Sequence, residues 1–151
     1  MTREEQFDAV ITFLRSLGLV ISEGAIGRET LVPGLDIWQG GLRFERDHIC
    51  KPADMLHEAA HILLSEPAIR PTLDGTISSS PAEELTAIAW TWAAAMHLSL
   101  DPADVFHDEV VSGNGETLRE NFSNGRYVGV PGLQRWRMTE KYPRMRSWVR
   151  G

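Results

Sequence analysis

Three residues of this chain have the types and spacing to do chemistry together. His57, Glu58 and His61 lie in Asp54-Met55-Leu56-His57-Glu58-Ala59-Ala60-His61-Ile62-Leu63-Leu64, an HExxH pattern. On an α-helix, residues i and i+4 share a face about one turn apart, so His57 and His61 can aim two imidazoles at one metal ion. Glu58 follows the first of them. Its carboxylate therefore stands beside the ion rather than on it, where a general base for water must sit. The pattern predicts zinc-dependent hydrolysis, with Glu58 as the catalytic base.

Two histidines are an incomplete set, because a catalytic zinc usually has three protein ligands and one open position. The downstream candidates are Glu83, Glu84, His97 and His107. Ser80-Pro81-Ala82-Glu83 reads as a capping box, which gives Glu83 a local task at the start of a helix. Glu84 is rotated by about 100° from it and shares a face with Ala87, Ile88, Thr91 and Ala95. Small residues there would let this helix approach the metal helix closely. His97 lies about 20 Å along the helix from Glu84, too far to share an ion with it. The longer pattern HExxHxxGxxH would need glycine and histidine where Leu64 and Pro67 stand. The expected metal ligands are therefore His57, His61 and Glu84. Tyr127, Tyr142 and His107 could each donate to an oxyanion, but all three serve equally well as structural residues and none is assigned.

The elements that must position these residues can be read in outline. Thr2 to Leu17 has the spacing of an amphipathic helix, with Thr2 as cap, Phe7, Val10, Ile11 and Leu14 on one face, and Gly18 as stop. Leu19 to Ile21 suits a short strand or a turn. Leu35 to Arg46 reads as a hairpin turning at Gln39-Gly40-Gly41, which gives a small antiparallel sheet with an edge strand for an extended peptide. His48 follows it as a surface histidine. The metal helix opens near Pro52 and runs to about Leu64. Ser65 to Ser80 is a polar loop, long enough to suggest a rim. The helix from Ser80 to about Leu98 is apolar nearly all round and is expected to be central. Asp101-Pro102 opens a short helix carrying Val105, Phe106 and Val110, which ends at Ser112-Gly113-Asn114-Gly115. Thr117 to Phe122 suits a turn or two of helix, Gly125 to Gly132 a loop, and Pro143 the start of a last short helix with Met145 and Trp148 inward. The fold class expected is α+β: a mainly helical domain with a small antiparallel sheet beside the HExxH helix.

Composition narrows the setting. The 151 residues suit one domain, and 42% apolar residues can fill a core. Cys50 is the only cysteine, which excludes an intrachain disulfide and multi-thiolate metal sites and agrees with a reducing, cytoplasmic compartment. The N-terminus carries charge where a signal peptide needs an apolar run, and Ala87 to Met96 is too short to span a bilayer. Net charge is −6, yet residues from Arg119 onward hold eight basic side chains against Glu120 and Glu140. Residues 119–151 are read as a basic extension packed on its own acidic body, within one domain covering 1–151. Trp136, Tyr142 and Trp148 among these arginines allow a rival reading as a nucleic-acid-binding regulator, because aromatic and arginine mixtures suit single strands.

Helix, β-hairpin, HExxH helix and a later Glu-x-x-Ala on an alanine-rich helix together resemble the minimal gluzincin-type metallopeptidases of the ImmA/IrrE kind. The pieces that carry the resemblance are Leu56-His57-Glu58-Ala59-Ala60-His61-Ile62-Leu63-Leu64 and Glu84-Leu85-Thr86-Ala87. It implies a zincin-like fold, zinc on His57, His61 and Glu84, water activated by Glu58, and a protein substrate such as a transcriptional repressor. Ala60 stands where that family has glycine, and Ile88-Ala89-Trp90-Thr91 where it has Asn-x-Phe-Ala. A non-catalytic metal-binding regulatory module is the alternative on the same residues.

Overall fold

The computed structural model describes residues 1–75, 77–111 and 113–151. Thr76, in the expected rim loop, and Ser112, at the expected helix end, lie outside the described residues. The class is α+β. Helix α1 (Arg3–Ser16) is closed at its start by a reciprocal Thr2–Glu5 capping box and buries Phe7, Val10, Ile11, Phe13 and Leu14. Gly18 ends it with φ 93°, a left-handed conformation that costs glycine little.

Strands β1 (Ile21–Glu23), β2 (Leu35–Trp38) and β3 (Gly41–Phe44) form one sheet in the order β1-β3-β2. The β2–β3 hairpin forms as expected but ends at Phe44 rather than Arg46, with Leu35 opposite Phe44 and Ile37 opposite Leu42. Its two turn residues, Gln39 and Gly40, have φ 49° and 77°, as a type I′ turn requires. The sheet is mixed rather than antiparallel, because β1 runs parallel to β3. The chain leaves β1 through the long 24–34 excursion and returns on the far side of β3, a crossover that the short Leu19–Ile21 pattern did not reveal. Strand β2 is consequently an edge.

Helix α2 (Asp54–Leu63) carries the HExxH residues, and α3 (Pro81–His97) starts at a Ser80–Glu83 capping box. The α2–α3 contact is the most extensive between elements among the described residues. Fully buried Ala59 and Ala60 on α2 and Ala87, Ala94 and Ala95 on α3 keep both helices slim. Trp90 is also fully buried and donates its indole N–H to Trp148 O at 3.0 Å, which ties the chain's end to the centre of α3. No helix among the described residues is long and apolar enough to cross a membrane.

The second half departs from expectation in four places. A single 3-10 turn, Pro102–Asp104, replaces the start of the expected helix. Phe106 then adopts φ 61°, which breaks any helix, and α4 (Asp108–Val111) begins only after it. Helix α5 (Gly115–Ser123) extends the expected Thr117–Phe122 turns. Helix α6 (Val130–Arg135) occupies part of the expected 125–132 loop, with Pro131 in its first turn. After Pro143 there is no helix but a hairpin, β4 (Thr139–Lys141) with β5 (Arg144–Met145), secured by Thr139 Oγ1 donating to Arg144 O. The proline serves the turn instead of opening a helix.

Helix α6 packs tightly on the start of α3 through Gly129, which has φ 79° and no room for a Cβ beside Leu85 O, 1.8 Å from where that atom would lie. Gly129→Ala is therefore expected to destabilise the protein by about 2 kcal/mol or more in urea denaturation, because it adds both a strained φ and a backbone clash.

Candidate metal centre

Helix α2 sets the two imidazoles and α3 brings the carboxylate. His57 and His61 stand one turn apart, with Nε2 atoms 3.3 Å from each other. Glu84 reaches both, with Oε1 2.9 Å from His57 Nε2 and Oε2 3.0 Å from His61 Nε2. These three residues are a group whose ligand atoms converge within metal-binding distance. Four-coordinate zinc with bonds of about 2.0–2.1 Å requires neighbouring ligand atoms about 3.3 Å apart. The histidine pair already has that separation, and the carboxylate oxygens need to retreat only slightly. The donor set therefore fits zinc. Glu83 instead remains in its capping box, accepting from Ser80 N at 3.0 Å while its own N–H donates to Ser80 Oγ.

The electrostatics are those of a cluster that holds charge. Burial opposes the ionised form of Glu84, but hydrogen bonds and charge from His57 and His61 outweigh it and hold the carboxyl well below its ordinary range. For His61, burial works against the imidazolium, yet the bond and charge of Glu84 prevail and raise its pKa. Glu58 takes no part in the three-atom group. Burial pushes its carboxyl up, partly offset by the neighbouring His57 and His61. His57 Nδ1 is buried with no hydrogen-bond partner among the described residues.

The four residues lie in a cleft of about 180 Å³. Its walls are the 29–32 loop, strand β2 from Leu35 to Ile37, and Gly75, Ile77, Ser79 and Val110. No lysine or arginine lines it among the described residues. Arg28 braces the wall from behind, bonding Asp36 through Nε and Nη2 and reaching Ile37 O and Asp74 Oδ1 with Nη2. The β2 edge is less open than the hairpin alone suggested. Gly75 N already donates to Ile37 O at 2.8 Å, Gly40 N donates to Leu73 O, and Leu35 N donates to Val32 O.

The remaining sequence candidates stand elsewhere. His97 packs against Phe13 and Trp148, and exposed His48 pairs with Glu45. None of Tyr127, Tyr142 and His107 lines the cleft. Tyr142 donates to Ala89 O at 2.7 Å and burial raises its phenol. In the basic extension, Trp148 packs on Phe13 and Trp90, and Trp136 lies under the Arg150 guanidinium at 4.2 Å. The tail's aromatics thus have structural partners within the chain. Sequence reasoning missed the 29–32 wall and the Arg28–Asp36–Asp74 brace. No periodicity marks them, since each joins segments distant in the chain.

Compared with family models, curated proteins and solved structures, the chain finds no match in any of the three.

Two outcomes are expected. In zinc titrations, Glu84→Gln weakens binding by about a hundredfold or more, whereas Glu83→Gln leaves it unchanged and lowers only helix stability. In chelator-treated protein, the raised His61 contributes stability that is fully present below the ordinary imidazole range and lost as pH rises through its folded pKa. The melting temperature should then fall as pH rises above the ordinary imidazole range, and Glu84→Gln should abolish that part of the fall.

Proposed function

We propose that the protein is a zinc-dependent metallopeptidase that hydrolyses a peptide bond in a protein substrate. The observation that carries this reading is the convergence of His57 Nε2, His61 Nε2 and Glu84 on one point, with Glu58 beside them but outside the ligand set. The resemblance to ImmA/IrrE-type peptidases supports the same assignment and suggests a regulatory protein, such as a repressor, as substrate. A cytoplasmic setting suits a chain whose one cysteine is free.

His57, His61 and Glu84 would hold the metal. When bound, zinc supplies a Lewis acid that polarises the scissile carbonyl and makes water nucleophilic near neutral pH. Glu58 accepts the proton of the attacking water at its carboxylate and delivers it to the leaving amine nitrogen. Its raised pKa suits both halves of that transfer, since the group must take a proton and then release it. The β2 edge and the 29–32 wall orient the peptide and keep bulk water off the reacting atoms. An extended peptide that pairs along all of β2 must displace the 73–75 segment from Ile37.

The alternative, a metal-binding module without catalysis, rests on the same ligands and differs at Glu58. Glu58→Gln is expected to retain one equivalent of zinc while cleavage of an unfolded protein substrate falls by about a hundredfold or more. Cleavage that survives this change undiminished would remove Glu58 from the chemistry. Zinc binding with no cleavage by the wild type would favour the module.

A further inference from the structure

A second constellation of reactive side chains lies outside the metal centre. Cys50 Sγ is 3.4 Å from His107 Nε2, and His107 Nδ1 is 3.7 Å from Asp54 Oδ2. Cys50 is exposed, His107 is mostly covered and Asp54 is buried. The order is nucleophile, base and carboxylate, with the base between the other two, as in activated-nucleophile sites. A separate observation concerns the ring itself: His107 Nδ1 is buried and, among the described residues, has no hydrogen-bond partner. With Nε2 facing the thiol and able to accept its proton, the neutral ring carries its hydrogen on Nδ1, on the side of Asp54 Oδ2.

The surrounding contacts hold the group in place. Arg3 Nη1 donates to Cys50 O at 3.0 Å, and Lys51 Nζ bonds Asp104 Oδ1 at 3.0 Å, clamping the two segments together. Arg119 Nη1 donates to Phe106 O, and the Phe106 ring is locked between Trp92 and Phe122, so the residue after it is fixed. The charged groups around the pair, among the described residues, are Arg3, Lys51, Asp54, Asp104, Asp108 and Arg119.

We propose that Cys50 is a nucleophilic thiol served by His107 and Asp54, and that it takes low-molecular-weight disulfides by thiol–disulfide exchange. In the step, His107 Nε2 accepts the thiol proton and Cys50 Sγ attacks one sulfur of the disulfide. A protein–small-molecule S–S bond forms as the original S–S bond breaks, and the departing thiolate takes the proton back from His107. One disulfide is consumed and one is made, so no further oxidant is needed. Asp54 is a positioning residue that acts through His107.

The test is the rate of glutathione addition to the full chain from oxidised glutathione, read by intact-protein mass spectrometry at pH 7.5 with chelator present. The native protein is expected to react at least about tenfold faster than the same chain unfolded in urea. His107→Asn should reduce the rate to that of the unfolded chain, and Cys50→Ser should abolish addition. Asp54→Asn, if folded by circular dichroism, should move the pH–rate profile upward, which a packing defect would not do. A native rate at or below that of the unfolded chain, or a folded His107→Asn variant with the wild-type rate, would overturn the proposal.

Discussion

The site depends on the close approach of α2 and α3. His57 and His61 share a face of one helix by sequence spacing alone, but a third ligand has to come from elsewhere. It arrives because α3 packs closely on α2, both helices burying alanines, and its first turn brings Glu84 to within 3.0 Å of both imidazoles. A bulkier residue at Ala60 or Ala87 would hold the helices apart and leave two imidazoles facing an empty cleft. The capping box at Ser80 contributes to the same result. It starts α3 at a defined residue and engages Glu83, so that the next carboxylate is the one directed at the histidines.

This packing also explains the charge distribution. Two imidazoles and a carboxylate in a mostly buried cluster would be costly if left apart. Drawn together, they hold Glu84 ionised and favour a charged His61. A cation at the same point would replace the shared protons and meet three ready donors. Glu58, next to the cluster but not bonded into it, experiences burial more than neutralisation, and its raised pKa separates its role from that of Glu84. Two glutamates of like chemistry are thus driven by environment toward opposite protonation preferences.

Much of this was legible in the chain because it is local. The i, i+4 spacing of His57 and His61, the Thr2 and Ser80 caps, and the Gln39-Gly40 turn are each decided within a few residues, and all appear where expected. The choice of Glu84 over Glu83 needed only helical geometry and one cap. What stayed hidden is non-local. The parallel pairing of β1 with β3, the reach of Arg28 to Asp74, and the meeting of Cys50 with His107 join segments far apart in sequence. The misread second half has a different cause. Pro102, Pro131 and Pro143 each suit either a helix start or a turn, and tertiary packing, including the left-handed Phe106, decided among these.

The central claim is that His57, His61 and Glu84 hold one zinc ion with an open position for chemistry. X-ray absorption fine structure of the zinc-loaded protein tests it most directly. The account predicts a four-coordinate shell at about 2.0–2.1 Å containing two imidazoles and only oxygen besides, with one imidazole lost in His61→Ala. A sulfur contribution from Cys50, a six-oxygen shell, or zinc that does not remain with the protein would contradict it.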